Sequence, residues 1–208
     1  MGTPKSLSRI RDLYSDNLGR DGPVSTAVGW NSAESQKLRF DKLTEVIVDD
    51  GQPFSVNDYG CGYGAHLEYL QGRGMRVNAY HGYDISSEML ATARTRQKDF
   101  NGKLDLHQST QLQSEADYTF VSGTFNVRFD ATEEEWKQFI LTKLDEINRH
   151  SRRGFSFNLL STYVDWQEQH LFYGDPLFWF DHCKRHYARK VALLHDYPLY
   201  EWTIIVRH

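Results

Sequence analysis

Asn57-Asp58-Tyr59-Gly60-Cys61-Gly62-Tyr63-Gly64 is the stretch whose reading decides the fold. Its glycines alternate with other residues just after 54–59, which predicts a strand, and just before 65–72, which predicts a helix. Glycine at such a junction permits a tight turn and lets backbone amides approach a ligand, while the new helix contributes a positive end. On its own the pattern also fits a structural bend or a dinucleotide site. Residues 77–83 predict a second strand, closed by Tyr83-Asp84-Ile85, which sets a carboxylate about 20 to 25 residues beyond the glycines, where an acid can grip ribose hydroxyls. The alternative role for Asp84 is to cap the helix opened by Ser86 and Ser87.

Outward from this pair the alternation continues. Helices are expected over 86–97 and 131–150, the latter with Thr132 as N-cap, and strands over 104–107, 117–122 and 153–160. A helix over 176–185 and strands over 190–194 and 200–206, joined by a hairpin link, end the chain. Before the first strand, 6–14 and 32–48 predict helices separated by the turn-rich stretch 16–32. Strands alternating with helices predict an α/β fold: a doubly wound, mostly parallel seven-stranded sheet with helices on both faces and a C-terminal antiparallel hairpin strand. The organisation expected is an N-terminal helical cap, 1–50, on a core, 51–208, together one compact domain.

Composition narrows the function. With 24 basic and 28 acidic side chains intermixed and a net charge of −4, no broad positive face for nucleic acid is expected. Cys61 and Cys183 are the only cysteines, which speaks against a disulfide framework or a cysteine-rich zinc site and for a reducing, cytoplasmic setting. No apolar run is long enough for a membrane span, and the expected state is a monomer or homodimer.

The segment Asp58 to Gly64, followed by Tyr83-Asp-Ile-Ser-Ser-Glu-Met-Leu90, resembles motifs one and two of the class I S-adenosylmethionine (SAM) dependent methyltransferases. Residues 117–126 are similar to their fourth motif, which borders methyl donor and acceptor. The resemblance implies SAM as cofactor, with Asp58, Gly60, Cys61, Gly62 and Gly64 around its methionine part, Asp84 at ribose, Ile85 on adenine, and Ser122 and Gly123 beside the donor. A nicotinamide site fits less well, because Gly64 follows Gly62 by two residues rather than three. No Gly-Lys-Ser or Gly-Lys-Thr follows to make a Walker loop. Residues 107–111 depart from the family's usual adenine-edge text, so that contact stays unassigned.

Methyl transfer mainly needs alignment of donor and acceptor, exclusion of water and, for an oxygen acceptor, removal of a proton. Asn126, Asn158, Ser161 and Tyr163 lie where acceptors sit in this architecture. The aromatic, polar segment 161–175 reads as a pocket wall, with His170 as candidate base and Tyr173 or Glu168 to orient it; an ordinary surface loop is the alternative. His66 and His107 read as structural or adenine-proximal, and Tyr14 and Trp30 as a possible cover over the cleft. No metal is expected, since His182 and His186 lack a third ligand. No Asn-Pro-Pro-Tyr text or RNA-binding module is present, which favours a small-molecule acceptor such as a sugar or natural-product intermediate, methylated on O or N. A protein or RNA acceptor, or a non-catalytic SAM-binding subunit that activates a partner, is the competing expectation.

Overall fold

The structure is a computed structural model that describes residues 6–29 and 32–208. Trp30 therefore lies outside the described residues. The elements are α1 (Ser6–Asp21), a 3-10 turn (Ser25–Val28), α2 (Ala33–Thr44), β1 (Phe54–Tyr59), α3 (Ala65–Gly72), β2 (Val77–Asp84), α4 (Ser87–Arg96), β3 (Lys103–Gln108) and β4 (Ala116–Val121). After them come α5 (Glu133–Arg149), β5 (Ser151–Ser161), β6 (Tyr173–Gly174), α6 (Pro176–His186), β7 (Lys190–Leu194) and β8 (Glu201–Arg207).

The strands form one sheet in the order β3-β2-β1-β4-β5-β8-β7, with the two-residue β6 added beside β5. The pairs from β3 through β5 are parallel, and β8 runs antiparallel to both β5 and β7. This is the expected doubly wound sheet with its antiparallel hairpin strand. β1 pairs with β2 on one side and β4 on the other, so the winding reverses there and opens a crevice beyond the carboxyl ends of β1 and β4.

Capping chemistry sets several helix starts. Thr132 and Glu135 exchange bonds as a capping box at α5, Ser32 and Ser35 do the same at α2, and Ser86 Oγ accepts from Met89 N at α4. Ile140, Leu144 and Ile147 of α5 and Trp179 of α6 are buried against one sheet face, with Ile10 of α1 in the same cluster. Leu43 of α2, Leu67 of α3 and Leu90 of α4 pack on the other.

The N-terminal region differs from expectation. α1 continues past residue 14 to Asp21, and the turn-rich reading of 16–32 holds only beyond Gly22, which adopts φ +74° as the helix ends. Gly19 sits inside the helix facing open space, so its missing side chain costs about 1 kcal/mol of propensity and no packing. Ser15 Oγ lies 2.9 Å from Ser86 Oγ, tying α1 to the start of α4. α2 stops at Thr44, short of the predicted 48. No helix among the described residues is long and apolar enough to cross a membrane.

Candidate active site

The glycine turn works through backbone geometry. Gly60, Gly62 and Gly64 have φ of +81°, +52° and +84°, values that side-chain-bearing residues seldom adopt. Gly60 N and Cys61 N donate to the Tyr83 carbonyl at 2.8 and 3.0 Å, so the turn is stitched to the end of β2. A Cβ on Gly60 would lie 2.1 Å from Thr124 Oγ1, which itself donates to the Tyr59 carbonyl at 2.8 Å. The turn is thereby pressed against the segment that follows β4.

Asp84 closes the arrangement. Its Oδ2 accepts from Gly62 N and its Oδ1 from Ser86 N, each at 2.9 Å. The capping reading of this residue is seen directly, because the carboxylate braces the start of α4, and it braces the glycine turn at the same time. Burial raises its pKa, and the amides of Ser86, Gly62 and Ile85 oppose that rise.

Asp58 is 2% exposed and accepts a 2.5 Å hydrogen bond from the Tyr80 hydroxyl. Burial pushes its pKa up to about 7, against the lowering effect of that bond. His66 stacks on Phe40 at 4.5 Å and meets Phe120 edge-on at 4.5 Å. Its Nδ1 lies 3.9 Å from Asp58 Oδ2, and neither ring nitrogen has a hydrogen-bond partner among the described residues. Burial presses the imidazole down to about 3, so it is neutral near pH 7.

A raised folded-state pKa for Asp58 means that its stability contribution is full below about pH 4 and is lost as pH rises through about 7. Asp58→Asn keeps an acceptor for Tyr80 without the buried charge. Urea unfolding at pH 5 and pH 8 should show the parent losing more stability than the variant across that interval, on the order of 1 to 3 kcal/mol. An equal change in both proteins would contradict this account of Asp58.

These groups border a cleft of about 990 Å³, counted out to its open mouth. Asp58, Gly60, Cys61, Gly62, Asp84, Ile85, Ser122 and Gly123 line it; Gly64 does not, its carbonyl instead accepting from Gln97 Nε2 at 3.0 Å. Burial raises the Cys61 thiol well above its ordinary value, so it is no thiolate. Ser122 Oγ is buried without a partner among the described residues, and Gly123 N donates to Asn158 Oδ1 at 2.7 Å. Leu7, Ile10 and Tyr14 of α1 and Gln36 and Phe40 of α2 supply the opposite wall, with Trp136 and Phe139 of α5. Tyr14 is pushed up to about 12 by burial and then by the Asp84 charge.

Asn126, His170 and Tyr173 are not part of this lining. Asn126 is buried; its Oδ1 accepts from Leu160 N at 3.3 Å and its carbonyl from Phe172 N at 2.8 Å. Tyr173 Oη accepts from Glu168 N at 3.0 Å beside a second recess that Arg128 and Glu168 also line. His170 is exposed; its carbonyl accepts from Arg128 N and Phe129 N, and its ring stacks on Phe129 at 6.3 Å. Arg9 lies over the Phe129 ring at 4.4 Å, so one aromatic ring separates His170 from the helix that walls the cleft. Tyr14, expected as a cover over the cleft, lines it; Leu7, Ile10 and Phe40 escaped the sequence reading because they have the spacing of an ordinary core-facing stripe.

Residues 56–154 match the methyltransferase-domain family. A Mycobacterium tuberculosis protein named as a methyltransferase, Rv1506c, is 48% identical over 165 residues, covering 77% of this chain and 97% of its own. Among solved structures, the magnesium protoporphyrin IX methyltransferase of Synechocystis PCC 6803 superimposes with a TM-score of 0.66 in its SAM-bound form, at 16% identity over the whole of both chains. An O-methyltransferase family protein from Burkholderia thailandensis gives a TM-score of 0.62 at 12% identity, over 97% of this chain and 60% of that one. At such identities the structural likeness is one of fold.

Proposed function

Because the chain belongs to the class I SAM-dependent methyltransferases, we propose that it transfers the SAM methyl group to an oxygen or nitrogen of a small molecule held in the cleft at the β1/β4 crevice. The observation that carries this reading is the cleft itself, where a glycine turn locked to Asp84 faces an apolar wall from α1, α2 and α5. The residues fit the cofactor. The glycine turn, which has no side chain at Gly60 or Gly62, presents bare backbone to the cleft, and Asp84 keeps lone pairs beyond those given to Gly62 and Ser86 for ribose hydroxyls. Asp58 and His66 offer a carboxylate and two open ring nitrogens to a polar head group. Ile85 and Met89 suit a flat ring.

SAM supplies an electrophilic methyl group on a sulfonium. This chain's residues hold the acceptor in line, keep water out and receive the proton. Leu7, Ile10, Trp136 and Phe139 exclude water, and residues 1–50 act as the cap. For an oxygen acceptor the base is His170, because burial holds His66 near a pKa of about 3, too low for it to take the proton. His66 lines the cleft wall as a neutral ring with unpartnered nitrogens, and His170 reaches the cleft only once 162–172 fold inward past Phe129, with Tyr173 and Asn126 anchoring that segment. Replacing His170 should lower kcat by roughly 10² to 10⁴, with SAM affinity kept. His170→Ala, compared with His66→Gln as a control by methyl transfer and calorimetry, checks this.

The direct test is calorimetric titration with SAM and with NADH, followed by transfer of labelled methyl to a panel of sugars and phenolic or amine metabolites. SAM binding with labelled product sustains the proposal. SAM binding with label appearing only on added protein or RNA would replace the acceptor class, and SAM binding with no transfer to any of them would favour a partner-activating subunit. Binding of NADH in place of SAM would remove the premise.

A further inference from the structure

On the β2–β3 edge of the sheet, three groups of metal-ligating chemistry converge that do not line the cleft themselves. Strands β2 and β3 run parallel with His81 opposite Asp105 and Tyr83 opposite His107. Alternation along each strand puts all four side chains on one face. One ligand atom each from His81, Asp105 and His107 lies within 4.8 Å of the others. We propose that these three residues form a site for a divalent transition metal, zinc by preference, that pins the two edge strands together.

The donor set is two imidazoles and a carboxylate, which zinc takes up with a fourth position left for water. His81 is 5% exposed, and its Nδ1, 3.0 Å from Asp105 Oδ2, makes no aligned hydrogen bond. His107 Nε2 is buried and also without a partner among the described residues. A buried imidazole nitrogen without a partner, as at His107, is an expensive arrangement, and a cation shared with His81 and Asp105 would satisfy it. Bonds of about 2.1 Å set ligand atoms roughly 3.4 Å apart, so the His81–Asp105 pair, now at 3.0 Å, opens slightly and the wider separations close, and the part-exposed Asp105 has room to turn.

One protein group competes for the site. Lys103 Nζ stands 2.8 Å from Asp105 Oδ2 and lowers the pKa of that carboxyl. The lysine side chain is 67% exposed, so a cation displaces it into water with little loss. A structural His–Asp pair has no use for the third residue, whose ring instead stacks on Tyr83 at 5.0 Å. One residue further along, Asp84 pairs in register with Gln108, and Ser109 N donates to the Asp84 carbonyl at 3.1 Å. Metal binding would therefore stiffen the strand ends that carry Asp84, Ser109 and Thr110 to the cleft.

Chelator-stripped full-length protein titrated with Zn²⁺ at neutral pH, with elemental analysis after equilibrium dialysis, tests the site without reference to methyl transfer. One zinc per chain is expected, lost in Asp105→Asn and in His107→Ala. Lys103→Ala, which removes the competing ammonium from an exposed position, should tighten binding about tenfold. This third variant decides the matter if either ligand variant misfolds, as judged by circular dichroism. Absence of stoichiometric zinc in the parent, retention of it in the folded ligand variants, or unchanged affinity in Lys103→Ala would each overturn the proposal.

Discussion

Asp84→Ala should weaken SAM binding by at least about 100-fold. The carboxylate accepts from Gly62 N and Ser86 N, both at 2.9 Å, so its removal leaves two amides of the turn without their charged acceptor. A hydrogen bond to a charged group contributes about 1.5 to 3 kcal/mol, and losing one such bond to ribose plus part of the turn's preorganisation amounts to roughly 3 kcal/mol, or two decades in affinity. Asp84→Asn retains an oxygen for one amide but not the charge, and should fall between, near tenfold. Calorimetry measures the affinities, and thermal unfolding checks that the variants remain folded. Because burial already disfavours the charged form of Asp84, the folding penalty should be smaller than the binding penalty. Affinity within twofold of the parent in Asp84→Ala would reduce this residue to a clamp for the turn and return the ribose contact to another group.

Asp84 was legible in the sequence because it closes the strand that follows the glycine turn and its helix, so a linear spacing carries its place beside the turn. The same holds for the Thr132 cap and the hairpin at β7 and β8, whose signals are all local. Other features depend on register between distant strands or on which side a helix falls. His81 and His107 look unrelated in the chain, yet become neighbours once β2 and β3 pair. His170 belongs to a segment rich enough in polar aromatics to suggest a pocket, but its backbone is engaged by Arg128 and Phe129, which turns the ring toward Phe129 rather than into the cleft. Residues 16–21 read as part of a turn-rich stretch because Gly19, and Gly22 just beyond, weaken the helical pattern, while the helix is held there by contacts made elsewhere, among them Ser15 with Ser86.

Breaking the Arg39–Glu201 pair should produce the largest loss of stability. Arg39 Nε donates to Glu201 Oε2 at 2.8 Å, with the side chains 9% and 0% exposed, and the bond joins α2 to β8 of the sheet. Removing one partner strands the other charge in the interior, which costs about 3 to 5 kcal/mol, whereas replacing both with apolar groups of similar volume is often close to neutral. Arg39→Met and Glu201→Leu should each be severely destabilising alone and much less so together, a double-mutant cycle read by urea denaturation. The pH dependence has a fixed sign. Burial raises the Glu201 carboxyl and the Arg39 charge opposes that rise, so in Arg39→Met the carboxyl rises further and takes up a proton in the folded state. Stability in that variant should therefore be higher at pH 5 than at pH 8, lost as pH climbs through the raised value. The pair also bears on organisation. If the cap and core are one cooperative unit, the tryptophan fluorescence and circular dichroism transitions will coincide in the parent. Arg39→Met should then lower both midpoints together; separation into two transitions would make α1 and α2 an independently melting cover over the cleft.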